Sequence, residues 1–183
     1  LIIGALSGAW MISGVVPTLI YYGIQIIHPS FFLVSTCLIC CIVSVMTGSS
    51  WTTIATIGIA LMGIGEAQGF STGWIAGAII SGAYFGDKIS LMSDTTVLAS
   101  STVEVPLFTH IKYMIITTIP SFTIALIAFS IFGILYTPEM AVDTAQIESA
   151  LQTTYNISPW LLIVPILTGV LISRRLPAIV TLF

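Results

Sequence analysis

Glu66 is the first charged side chain in this chain. Everything before it is apolar, small or uncharged, in runs far longer than the core of a soluble domain uses. Only 6% of the 183 residues are charged, against roughly 25% in soluble domains, so water leaves such a chain nothing to cover itself with. A mean hydropathy of +1.12 agrees. In lipid an apolar run is stable once each backbone polar group is bonded within its own helix. The sequence therefore reads as an all-α integral membrane protein, a polytopic helical bundle with no soluble domain.

Lys88, Lys112, Arg174 and Arg175 make no basic face, which excludes nucleic acid and leaves the lipid bilayer as the surrounding partner. Cys37, Cys40 and Cys41 share one apolar run and read as small buried packing residues, not as a metal set or a disulfide framework. No cofactor is expected. The chain starts at Leu1 within one apolar run, ends at Phe183 within another and shows no signal-peptide pattern. A portion of a longer membrane protein is the expectation.

Residues 1–27 form one apolar span containing Pro17, closed by His28-Pro29-Ser30. The next runs are too short: Phe31 to Met46 holds 16 residues and Thr52 to Gly65 holds 14. At about 1.5 Å per residue they reach roughly 24 and 21 Å, short of a hydrocarbon core of about 30 Å. Only Thr47 to Trp51 lies between them, so residues 31–65 read as a re-entrant hairpin with a polar tip. Two short tilted spans joined by a turn are the alternative. Residues 72–103 read as one crossing broken by a second polar interruption, Gly86 to Thr96, and its first part is rich in small residues that let helices approach closely.

Glu66 is expected at the aqueous mouth of the hairpin, and Ser101 and Glu104 have capping-box spacing. Pro106 suits the start of a helix lying at the interface, with Leu107, Phe108, Ile111 and Met114 on its apolar face and His110 and Lys112 toward headgroups. Residues 113–136 cross fully, loosened at Pro120; 137–158 are an acidic loop with room for a short helix; 159–173 cross back and stop at Arg174-Arg175. With Lys112 and the two arginines inside, the acidic loop lies outside, the hairpin opens outward and Leu1 begins near the cytoplasm.

The two interruptions carry the chemistry. Na⁺ leaves water only where oxygen atoms replace its hydration shell, and the ends of broken membrane helices expose such atoms. Thr47, Ser49, Ser50 and Thr52 at one tip, and Ser90, Ser93, Asp94, Thr95 and Thr96 at the other, are of the required type. Hydroxyls bonding back to the preceding turn are the plain alternative. Asp87 and Asp94 are sharper signals, because a carboxylate at membrane depth is expensive and marks function by default. Withdrawal from water favours the neutral form of a carboxyl group, so a proton and Na⁺ can take turns on one group. Lys88 is the candidate charge partner. A solvated loop between two ordinary helices is the competing reading of this stretch.

"TGSSWTTIATIGIALMGIGE", "SGAYFGDKISLMSDTT" and "LFTHIKYMIITTIPS", with "GAWMISGVVPTLIYYG" before them, resemble the NhaC-type Na⁺/H⁺ antiporter family over nearly the whole chain. The resemblance implies the N-terminal half of an inverted-repeat transporter of the wider ion-transporter superfamily. The missing second half would then supply the rest of the site. It implies a multi-pass protein of a bacterial cell membrane, a secondary transporter moving Na⁺ and H⁺, compatible with a homo-oligomer. The family's Gly-Asp-Lys-x-Ser…Ser-Asp-Thr-Thr pattern falls on Gly86, Asp87, Lys88, Ser90, Ser93, Asp94, Thr95 and Thr96. Leu91 stands where the family commonly has proline and Val97 where it often has asparagine. Those departures leave the carboxylates in place but bear on the substrate, so a Na⁺-coupled organic-acid exchanger of the malate/lactate type is the alternative. An intramembrane hydrolase would need Ser49 or Ser50 beside His110, whereas the tip sits at depth and the histidine at the interface. Nothing resembles the selectivity filter of a channel. The chain is read as a transporter and not as an enzyme.

Overall fold

The computed structural model describes residues 8–135 and 144–173, and these are helical with no strand among them. Residues 8–12 form a short helical stretch that breaks at Gly14 (φ 86°), and α1 (Val15–Ile26) follows. The first span is thus not one helix over its described part, and Pro17 falls in the first turn of α1, where a missing N–H costs little. His28 accepts from the Ser30 N–H and opens a 3₁₀ turn, Pro29–Phe31.

Helix α2 (Phe32–Thr47) ends at Gly48, whose φ of 66° suits a residue without Cβ and whose N–H caps the Ser44 carbonyl. Ser49 then accepts from the Thr52 N–H and starts the next helix: α3 (Ser50–Thr53), a π-helical turn Ile54–Gly58, and α4 (Ile59–Ala67). One C-cap and one N-cap side by side account for the polar tip. The arms return to one level, since Phe32 stacks on Phe70 beyond the end of α4 with ring centroids 5.3 Å apart. At that same end the Gln68 side chain donates to the Ile27 carbonyl (2.7 Å), and Glu66 is exposed, accepting from the Thr72 hydroxyl.

Helix α5 (Thr72–Ile89) packs along α2 more extensively than any other pair of described elements. Small residues permit it: a Cβ on Gly82 would strike the Cys37 carbonyl, and one on Gly86 the Cys41 carbonyl. Cys37 and Cys40 are fully buried in that core, unpaired, with Leu33, Ile75 and Ala83. The interruption after α5 is narrower than expected. Asp87 and Lys88 still belong to its last turn, and only residues 90–93 leave the helix before α6 (Asp94–Thr102) begins, capped by Ser93.

The capping-box expectation for Ser101 and Glu104 is overturned, because both lie at the C-terminus of α6. Glu104 takes a left-handed φ of 54° while its N–H bonds to Ser101 and that of Val105 bonds to Ser100. That is a Schellman ending with glutamate where glycine is usual. The separate interfacial helix is overturned as well. Residues 107–112 are the first turns of one helix, α7 (Leu107–Leu135), 29 residues that run through Pro120. Uninterrupted apolar character past Lys112 gives the backbone no reason to stop.

α7 runs antiparallel to α5. Phe85 stacks on Phe122 at 4.0 Å and Trp74 on Phe132 at 3.7 Å, while Gly133 lies against the Ser30 carbonyl. Within the acidic loop, α8 (Thr144–Thr154) rests on α1 through hydrogen bonds from Gln25 to Glu148 and from Gln152 to Tyr21. A 3₁₀ turn, Pro159–Leu162, leads into α9 (Ile163–Ser173). The expected ends at Leu1, Arg174 and Arg175 lie outside the described residues.

Candidate ion site

The interruption after α2 and the interruption after α5 meet. A Cβ on Gly48 would stand 2.6 Å from the Met92 carbonyl carbon and oxygen, so the hairpin tip touches the backbone of the second break directly. Hydrogen bonds hold the two together. Ser44 donates to the Ala83 carbonyl (2.6 Å), and Ser90 donates to the Val45 carbonyl (2.8 Å) while accepting from the Met92 N–H (3.1 Å).

At the centre the Ser50 hydroxyl donates to Asp87 Oδ2 at 2.9 Å. The other oxygen, Oδ1, is buried and has no hydrogen-bond partner among the described residues. A buried carboxylate oxygen left unsatisfied is rare and costly, and it is the atom a cation or a proton would occupy. Through Ser50 the carboxylate meets the first residue of α3.

The other candidates divide into two groups. Ser49, Thr52, Ser93 and Thr95 bond among themselves or to the adjacent turn, as caps do. Thr47 shares a bond with Thr53 (3.3 Å), and Thr96 donates to the Lys88 carbonyl (3.4 Å), so these two help shape the break. Asp94 and Lys88 are both exposed, and Lys88 makes no ion pair among the described residues, so the expected partnership with Asp87 is not formed. Ser44, Thr53 and Thr56, all buried, escaped the sequence reading. Their signal was there: the hydroxyls recur every three or four positions into both arms from the tip. Among the described residues no three of His, Cys, Asp and Glu gather as a metal-binding group.

Depth follows from α7. Its 29 residues extend about 43 Å at ~1.5 Å per residue. Phe122, stacked on Phe85 beside Asp87, stands about 22 Å from one end and about 20 Å from the other. The Ser50–Asp87 pair therefore lies level with the middle of the longest apolar helix.

Residues 82–183, which include this carboxylate and the whole second break, match the pattern of the Na⁺/H⁺ antiporter family. The chain belongs to that family. It is 48% identical over 179 residues to the malate-2H⁺/Na⁺-lactate antiporter of Bacillus subtilis, covering 96% of this chain and 38% of that protein. It is 46% identical over 178 residues to the Na⁺/H⁺ antiporter NhaC of Alkalihalophilus pseudofirmus, covering 97% and 38%. Against the NhaC of Bacillus subtilis the identity is 41% over 180 residues, covering 97% and 40%. The chain thus spans about two fifths of the length of these antiporters. No solved structure matches it. Family membership groups the chain with membrane transporters of the NhaC type, and the named relatives are bacterial.

Proposed function

We propose that the chain forms one half of the pathway of a secondary antiporter exchanging Na⁺ for H⁺, with Asp87 as the carboxylate on which the two ions alternate. The observation that carries this is the pairing of Asp87 with Ser50 at the mid-depth of α7, one carboxylate oxygen buried and unpartnered. Ser50 holds the carboxylate in place, and nearby hydroxyls and the carbonyls of Gly48, Leu91 and Met92, which lie outside the helices, are oxygens of the kind Na⁺ accepts. Thr47, Ser49, Thr52, Ser90, Ser93, Thr95 and Thr96 line or brace this break, and Asp94 stands at its exposed lip.

Further features support a membrane arrangement. The hairpin mouth at Phe32 and Phe70 is level with Gly133, near one end of α7, and its tip reaches about halfway along that helix, as a re-entrant hairpin does. Lys112 is near the opposite end, which supports an outward-facing mouth by the positive-inside rule. In this reading α7 crosses a bacterial cell membrane in a multi-pass protein. The inverted second repeat, carried by the rest of a chain as long as the relatives, completes the site.

Transport in proteoliposomes tests the proposal. Asp87→Asn should abolish Na⁺-driven proton movement while the protein still inserts, and Asp94→Asn, at the exposed lip, should weaken it less. Normal flux in Asp87→Asn removes this carboxylate from the mechanism. Exchange of organic acids coupled to Na⁺ is the second reading, favoured by the 48% identity to a protein named for malate and lactate. A flux that Na⁺ alone does not drive, but that malate or lactate restores, would select it.

A further inference from the structure

Away from the Ser50–Asp87 hydrogen bond, α5 carries a second polar face that the sodium reading leaves unused. Ser81, Tyr84 and Lys88 fall at i, i+3 and i+7 on one side of the helix. With Thr118, Ser121 and Phe122 of α7 they line a cleft of about 220 Å³, the size of a small metabolite rather than of a bare ion. The cleft lies at the depth of Phe122, roughly 20 Å from either end of α7, beyond the reach of lipid headgroups. A lysine facing hydrocarbon at that depth is expensive, so the cleft opens to water or to protein.

Donors and acceptors in the cleft are sorted by helix. On α7 the Thr118 hydroxyl donates to the Met114 carbonyl (2.5 Å) and the Ser121 hydroxyl to the Thr118 carbonyl (2.9 Å). Their protons are engaged, so both oxygens present lone pairs. On α5 the Ser81 and Tyr84 hydroxyls and the Lys88 ammonium have no partner among the described residues. One wall donates and carries a positive charge; the other accepts.

We infer that this cleft binds a small 2-hydroxy carboxylic acid. Lys88, with Tyr84 and Ser81, takes the carboxylate, and the oxygens of Ser121 and Thr118 accept from the hydroxyl on the adjacent carbon. A single cation matches a single carboxylate. The bound acid lies on the residue next to Asp87 in sequence, which puts its negative charge near the sodium carboxylate without sharing its atoms. The inference rests on the organic-acid reading above and gives that reading a site.

Equilibrium binding of radiolabelled L-lactate, a 2-hydroxy acid with one carboxylate, to the purified protein in nanodiscs tests it, with unlabelled propionate as a competitor. Wild-type protein should retain label. Lys88→Gln should weaken retention about tenfold or more, the usual effect of losing a hydrogen bond to a charged group. Propionate, which lacks the hydroxyl, should compete about tenfold less well than lactate. Tyr84→Phe removes one donor and keeps the ring; it should weaken retention about threefold or more, and it carries the test should Lys88→Gln fail to fold. No retention by wild type, unchanged retention in a folded Lys88→Gln or Tyr84→Phe, or equal competition by propionate each overturns the inference. Failure of the Asp87→Asn flux prediction refutes the sodium site instead and leaves acid binding untouched, so the two failures are told apart.

Discussion

Gly48→Ala probes whether the two polar breaks really bear on each other. The new methyl group meets two penalties. Gly48 has a φ of 66°, and an alanine held in the left-handed region costs about 1–2 kcal/mol. Its Cβ would also stand 2.6 Å from the Met92 carbonyl carbon and oxygen, which are backbone atoms and cannot swing aside. Relief of such overpacking costs a further ~1–3 kcal/mol. The sum is roughly 2–5 kcal/mol, which lowers a melting temperature by roughly 4–20 °C in a protein of this size. Displacing Met92 also pulls on Ser90 and its bond to Val45, so Na⁺-driven flux should fall along with stability. Thermal unfolding in detergent micelles, followed by the size-exclusion peak after heating, gives the readout. Gly73→Ala is the control, because no atom lies within 4 Å of its added Cβ and the exchange in a helix gains up to about 1 kcal/mol. A Gly48→Ala protein that melts with the wild type, or above it as Gly73→Ala should, refutes the contact between the breaks.

The remaining predictions concern the helix ends and the core. Glu104→Gly should raise the melting temperature by about 2–4 °C, since relieving a left-handed non-glycine residue returns about 1 kcal/mol; an unchanged or lower value contradicts the Schellman ending at α6. Cys41 is partly exposed while Cys37 and Cys40 are fully buried. A membrane-permeant maleimide should therefore modify the native protein at Cys41 first, which peptide mass analysis will show. Modification led by Cys37 or Cys40 would contradict the α2–α5 packing.

The helix breaks at Gly48–Ser49 and at residues 90–93 were legible from run length and hydroxyl content, because a helix in lipid must satisfy its backbone or stop where polar atoms can take over. Gly48 and Ser49 are local signals that act within a few residues, so their caps follow from the sequence alone. The pairing of Ser50 with Asp87 is different: it depends on how α2 and α5 lie against each other, 37 positions apart in the chain. Asp87 and Asp94 look alike in a string of letters. One ends a helix that packs against the hairpin tip and the other starts a helix on the exposed side, and only tertiary packing separates them. Glu104 misled because a serine followed three residues later by glutamate has the same spacing at either end of a helix. The π-helical turn at Ile54–Gly58 leaves no compositional trace at all, and such turns often mark functional sites.

Where Gly82 and Gly86 let α5 settle onto the carbonyls of Cys37 and Cys41, two backbones are in direct contact with no side chains between them to slide or repack. A protein that opens first to one side of a membrane and then to the other needs a seam along which its parts slip. That seam cannot run here. In the antiporter proposed above, hairpin tip and broken helix would therefore travel together as one piece with Asp87, and the slippage would fall to boundaries padded by larger side chains, such as the aromatic stack that α5 shares with α7.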